Sequence, residues 1–130
     1  MFTEEYFMQQ AFKQAEKAFD EGEVPVGAVI YNENGEIIAK SHNLVEQKCD
    51  PTAHAEMLVI KEACKKLGKT TLFGLYLAVS LEPCAMCAQA IAWSRVKEIR
   101  FGAYDVKSGG TVNGAKVFSH HTCHHKPEIY

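Results

Sequence analysis

Hydrophobic positions along the chain change period several times, and each change predicts an element. Phe7, Ala11, Gln14 or Ala15 and Ala18, flanked by Met8, Phe12 and Phe19, recur three to four residues apart, the spacing of one face of an α-helix. Thr3 suits the N-cap and Gly22 the stop, which predicts a helix over roughly 4 to 20. The runs VPVGAVIYN and EIIAKSHN are rich in β-forming residues and flank NENG, whose Asn34-Gly35 pair is a strong hairpin signal. Met57, Ile60, Cys64 and Leu67 make an apolar stripe over 54 to 67, closed by Gly68. That second helix feeds LYLAVSL, which reads as a strand buried on both faces. CAMCAQAIAWSRV predicts a third helix with Arg95 near its end, and EIRFGAY a fourth strand. From Asp105 onward DVKSGGTVNG reads as loop, AKVFSHHTCHHK fits no single period, and PEIY suits a short last strand. The alternation predicts an α/β fold: a three-layer α/β/α sandwich whose mixed five-stranded sheet starts with an antiparallel hairpin and continues mostly parallel.

Size and charge narrow the picture. A chain of 130 residues fits one domain, 1–130, with a core large enough to need no disulfide. Fourteen basic against sixteen acidic residues give a net charge of -2, so no global positive field marks a nucleic-acid binder, although a local basic face is compatible with it. The opening MFTEEYFMQQ is acidic and polar where a secretory signal is basic and then apolar, and no apolar run approaches the length of a membrane span. A soluble cytoplasmic protein with no membrane partner is expected. Five cysteines is an odd number, and Cys84 and Cys87 are too close in sequence for an ordinary staple. Metal or redox chemistry is the better expectation for that pair.

The chemistry concentrates in DPTAHAEMLV, residues 50 to 59, and SLEPCAMCAQ, residues 80 to 89. Each enters a predicted helix, where free N–H groups and the positive dipole end favour thiolates and developing oxyanions. Cys84 and Cys87, at i and i+3, share one helical face, and His54 can supply a third bond to the same ion. Three protein ligands leave the open position that a catalytic zinc requires, whereas a structural zinc takes four. Glu56, two residues after His54, leaves its helix at a different angle and is placed to carry a proton beside the metal. Other readings stand beside this one. Cys-x-x-Cys also serves as a redox pair, and a closed structural zinc would recruit Cys49, Cys64, Cys123 or a tail histidine. Taken singly, His54 reads as a core histidine and Glu56 as a first-turn acid.

His-x-Glu followed by Pro-Cys-x-x-Cys is the signature of zinc nucleobase deaminases. With EVPVGAVI, HN at 42 to 43, DPTAHAE, SLEPCAMC, SRV and FGAYDVKSGG in order, the chain resembles the tRNA-specific adenosine deaminases of the cytidine deaminase-like superfamily. The resemblance implies one Zn2+ per chain on His54, Cys84 and Cys87, with Glu56 as the catalytic proton shuttle. It also implies substrate contacts by Asn43, by Asp105 near the sugar and by Val24 in the base pocket. Asn43 reads equally as the turn residue that ends a strand, and Asp105 as a loop or helix cap. Lys107, Ser108, Gly109 and Gly110 look like a flexible loop beside the site. Gln89 and Tyr104 depart from the glycine and arginine usual in the family, and the C-terminal helix usual there is not expected in 1–130.

The leading expectation is hydrolysis of adenosine to inosine at the wobble position of a tRNA anticodon loop, with phosphates held by Arg95, Lys97, Arg100, Lys107 and Lys116. A deaminase of free guanine, cytosine or cytidine shares the zinc chemistry without needing an RNA surface. A non-catalytic zinc scaffold is the third reading. A homodimer is expected from the resemblance and from the few charges in CAMCAQAIAW.

Overall fold

The computed structural model describes residues 3–130, so the first two residues of MFTEEYFMQQ lie outside it. In chain order the elements are α1 (Glu4–Asp20), β1 (Gly27–Tyr31), β2 (Ile37–His42), α2 (Ala55–Leu67), β3 (Tyr76–Val79), α3 (Ala85–Ser94), β4 (Glu98–Phe101), a 3-10 turn (Val117–Ser119) and β5 (Glu128–Ile129).

Local chemistry sets these boundaries. Thr3 Oγ1 accepts from the Tyr6 N–H at 3.2 Å and opens α1, whose buried face is Phe7, Ala11, Ala15 and Ala18. The flanking Phe12 and Phe19 are exposed. The hairpin forms where Asn34-Gly35 predicts it, but through a longer loop than a two-residue turn. Asn32 Oδ1 accepts from the N–H groups of Asn34 and Glu36 at 3.0 and 2.9 Å, Gly35 takes φ 87°, and the register slips between Ile30 and Tyr31. One asparagine side chain thus closes the loop and the slipped register absorbs its extra length.

The sheet order is β2-β1-β3-β4-β5. β1 pairs antiparallel with both β2 and β3, while β3, β4 and β5 run parallel. Side chains alternate across this sheet. Ala28, Ile30, Leu77, Val79 and Ile99 meet α2 and α3 on one face, and Val29, Tyr31 and Ala78 meet Phe7 of α1 on the other. The three layers are therefore α1, the sheet, and the α2–α3 pair. Each fully buried Ile, Leu or Val contributes roughly 1.5–3 kcal/mol relative to exposure.

Helix α2 corrects the predicted stripe. Ala55, Glu56, Val59 and Ala63 are buried, Met57, Ile60 and Cys64 are only partly so, and Leu67 is 39% exposed. The sheet already presents Ile30, Leu77 and Ile99 to this layer, so alanines let the helix lie close and the bulkier residues move to its flank. Helix α3 ends at Ser94, two residues before the predicted stop, with Arg95 at φ 65° as its C-cap.

Candidate metal centre and pocket

The parallel β3 and β4, and the reversed β1 beside them, bring four connections to one edge of the sheet. Ser80 Oγ accepts from the Gly27 N–H at 3.0 Å, joining the start of β1 to the segment after β3. His54 is the N-cap of α2 and Cys84 the N-cap of α3, both in extended backbone conformation and neither capping with its own side chain. Those side chains are free to turn toward each other. His54 Nδ1 lies 3.7 Å from Cys84 Sγ and 3.6 Å from Cys87 Sγ, and the three donor atoms all fall within 4.8 Å of one another.

The donor set and its spacing suit zinc. Bond lengths of about 2.3 Å to sulfur and about 2.0–2.1 Å to nitrogen in a tetrahedron imply an N···S separation of about 3.6 Å. The two helix N-termini add positive dipole ends. Cys84 is held down to about 5 by a hydrogen bond from the Cys87 thiol, with its own burial opposing and the Cys87 N–H and His54 assisting. Cys87, fully buried, is pushed up by donating that bond and by burial. Among the described residues no fourth histidine, cysteine or carboxylate joins the group. Cys123 donates to the His125 carbonyl, and His120 and His125 bond to backbone carbonyls, which leaves the closed structural site without its fourth ligand.

Glu56 stands outside that group of three, 4% exposed. Burial pushes its carboxyl up to about 7, so it gains or loses a proton near neutrality. It lines a cavity of about 410 Å3 together with Val24, Asn43, His54, Cys84, Asp105 and Ser108. Every residue predicted for metal, catalysis or substrate except the deeper Cys87 borders this cavity.

The individual placements refine their readings. Asn43 Oδ1 accepts from the Ala55 N–H at 2.7 Å, so Asn43 does the capping of α2 that His54 does not. Its Nδ2 remains for the cavity. Val24 is 64% exposed at the rim. Asp105 Oδ1 accepts from the Ser108 N–H at 2.9 Å, closing a turn of the loop that borders the cavity.

Two buried carboxylates were not singled out from sequence. Glu82, 2% exposed, accepts from the Asp105 N–H and Asn113 Nδ2 through Oε1. Its Oε2 accepts from the Thr111 N–H and hydroxyl and from the N–H groups of Val112 and Asn113. Glu23, 6% exposed, accepts from the N–H groups of Glu46 and Gln47 at 3.0 and 2.9 Å. Each carboxylate thus fixes one wall of the cavity. The Pro that follows Glu82 and the Gly-Gly of its loop were the available signal. Gly109 and Gly110 are not a flexible segment: both are buried, and a Cβ on either would collide with the Glu82 carboxylate or with the Cys84–Ala85 backbone.

The expected phosphate contacts need correction. Arg100 is tied to Glu4 and Glu98 at 2.6 and 3.1 Å, and Arg95 donates to the His124 carbonyl. Lys97 stands over the Tyr76 ring at the start of β3, the end of the sheet opposite Cys84. Of the five cations only Lys107 lies in the loop that walls the cavity.

A histidine and two cysteines spaced for zinc, with a buried carboxyl beside an open cavity, fit a zinc-dependent hydrolytic deaminase. The comparisons agree. Residues 1–103 match the family model described as the cytidine and deoxycytidylate deaminase zinc-binding region. The tRNA-specific adenosine deaminase of Aquifex aeolicus is 51% identical over 94% of this chain and 80% of its own length. A solved tRNA:A34 deaminase, one that edits A to I at the wobble position of transfer RNA, superposes with a TM-score of 0.94 at 44% identity, covering 97% of this chain and 91% of that one. Guanine deaminase from Bacillus subtilis superposes with a TM-score of 0.76 at 41% identity, covering 79% of this chain and 66% of that one. The chain belongs to the tRNA-specific adenosine deaminase family, within the zinc-dependent cytidine and deoxycytidylate deaminases.

Among the described residues no helix is long and apolar enough to cross a membrane.

Proposed function

We propose that this protein converts adenosine to inosine at the wobble position of a transfer RNA, acting on a base turned out of the anticodon loop into the 410 Å3 cavity. The observation that carries the reading is the likeness to the tRNA:A34 deaminase, at a TM-score of 0.94 over 97% of the chain. A loop base is already partly unstacked, so extruding it takes little energy.

His54, Cys84 and Cys87 hold zinc, which when bound supplies the Lewis acidity that makes water a competent nucleophile at neutral pH. Glu56 accepts one proton of the attacking water and delivers it to the ring nitrogen beside the amino-bearing carbon, then takes the proton of the hydroxyl now on that carbon and passes it to the amino group, which leaves as ammonia. A carboxyl held near 7 by burial is matched to both halves of that transfer. Asn43 offers Nδ2 to an acceptor on the base while the Ala55 N–H fixes its other end. Val24 packs against the base at the rim, and Asp105 faces the sugar. The enzyme works in the cytoplasm as a homodimer, a reading supported by the outer side of α3, where Trp93 is 60% and Met86 36% exposed.

Incubation with an anticodon stem-loop RNA and separately with free adenosine, guanine and cytosine, scoring inosine and ammonia, tests the reading. Inosine at the wobble position with little release from free bases is expected. The likeness to guanine deaminase favours one alternative, a free purine base. Ammonia from guanine with the RNA untouched would establish it instead.

A further inference from the structure

Beside the cavity lies a second, larger groove of about 660 Å3 that straddles the exposed edge of β2, with α1 on one side and α2 on the other. Five lysines line it: Lys17 from α1, Lys40 from β2, Lys48 from the loop after β2, and Lys61 and Lys65 from α2. All five are exposed. Among the described residues no ammonium of the five makes an ion pair or hydrogen bond, although Lys17 lies near enough to Glu21, and Lys48 and Lys61 near enough to Asp50, to favour those charges; the one carboxylate lining the groove, Glu62, accepts from Ser41. Five cations around one depression, none in a direct ion pair, are unexpected in a chain whose net charge is -2. Elsewhere this protein does neutralise its cations, as Arg100 between Glu4 and Glu98 illustrates.

The groove and the catalytic cavity share a wall. The end of β2 and the segment after it divide between the two: His42, Leu44 and Lys48 border the groove, while Asn43, Val45 and Glu46 border the cavity. Helix α2 also runs from one to the other, carrying His54 and Glu56 at its start and Lys61 and Lys65 further along. At 1.5 Å per residue Lys61 lies about 8 Å beyond Glu56 along the axis and Lys65 about 6 Å beyond Lys61. Two lysines at i and i+4 stand on one face, a spacing that suits successive phosphates of a strand leaving the catalytic site.

We propose that this lysine groove seats the RNA phosphate backbone adjoining the nucleotide held in the cavity. It takes the place of Arg95, Lys97 and Arg100, which are paired or sit elsewhere on the fold. The proposal rests on the reading of the substrate as RNA, and the groove supplies affinity and salt dependence without touching the chemical step. Phosphate contacts of this kind position the ligand and carry no sequence information.

The test compares the protein with its Lys40→Gln/Lys61→Gln/Lys65→Gln variant, and with Lys97→Gln as a control. Affinity for a fluorescent anticodon stem-loop RNA is measured by anisotropy across a salt series, with inosine formation at saturating RNA measured alongside. The triple variant is expected to bind roughly tenfold or more weakly at low salt, and its slope of log K against log salt to be shallower by about 2 to 3. Its kcat is expected to be unchanged, and Lys97→Gln to behave as the parent. The single Lys61→Gln is expected to remove about one unit of slope, which guards against a folding defect in the triple. Equal affinity and slope in parent and triple variant would overturn the groove. So would a variant that merely aggregates through the uncovered β2 edge while its soluble fraction binds RNA normally. If the parent binds RNA through the groove but forms no inosine, the groove stands and the substrate reading falls.

Discussion

Glu56 and Glu82 are carboxylates of nearly equal burial, 4% and 2% exposed, at the starts of neighbouring helix entries, and their proton affinities are driven in opposite directions. Burial alone dominates at Glu56 and lifts it to about 7. Burial also pushes Glu82 upward, but hydrogen bonds from Asn113, Asp105 and Thr111 more than reverse it and bring it to about 2. Two things differ: Glu56 lies deeper in the protein, and Glu82 has far more donors. Glu82 is ringed by six hydrogen bonds that favour its charge, so it is a fixed anion that anchors the loop from Asp105 to Asn113. Glu56 is left poorly solvated at the edge of a cavity, which is the condition for a group that must both take and give a proton. Low exposure by itself does not fix a carboxylate's proton affinity; depth and donors together do.

The largest effect expected from this contrast is on turnover. Glu56→Gln keeps the shape and removes the exchangeable proton, so kcat should fall about 100- to 10,000-fold. Zinc content by metal analysis and thermal stability should stay close to the parent. Loss of the metal in that variant would make Glu56 a ligand and collapse the contrast. Cys87→Ser sharpens it from the other side, because a lost ligand should remove zinc and activity together.

Glu82→Gln should act in the reverse order, on stability first. An amide keeps one acceptor oxygen but turns N–H groups toward donors that Oε2 now accepts from, leaving several buried donors unpaired. A loss of about 2–4 kcal/mol is expected, seen as a drop of roughly 10 °C in Tm. With Asp105 and the buried Gly109–Gly110 pair loosened, KM should rise more than kcat falls, while zinc stays bound. A kcat collapse at unchanged KM would assign Glu82 to the chemistry instead.

The contrast also explains what the sequence made legible. His54, Cys84 and Cys87, which the fold brings within 4.8 Å of one another, lie in two short motifs, so local sequence carried their grouping. The strand and helix order followed from hydrophobic period, including the two-residue β5. The stripe on α2 did not, because Ala55, Val59 and Ala63 are small for reasons that lie across the sheet in Ile30, Leu77 and Ile99. Glu82 was invisible for a related reason: its six donors come from residues 105 to 113, more than twenty positions away. Which cations are free for a ligand was not legible, because pairing decides it and one partner of Arg100, Glu4, lies 96 positions away in sequence.

The smallest effect is expected at Glu23, which holds the opposite wall. Its carboxylate accepts one N–H on each oxygen, from Glu46 and Gln47, and those bonds hold it below the usual carboxylate range against its own burial. Glu23→Gln preserves one of the two acceptors and strands only one donor, against several at Glu82. Its stability loss should therefore be clearly smaller than that of Glu82→Gln, with zinc content and kcat unchanged. The wall it fixes carries Asn43 and Val45 on the cavity side and Leu44 and Lys48 on the groove side. A severalfold rise in KM for stem-loop RNA is expected, and comparing Tm and KM in the two variants measures it. Equal Tm losses in Glu23→Gln and Glu82→Gln would show that donor number does not set the strength of these anchors, and the explanation of the Glu56–Glu82 contrast would fail with it.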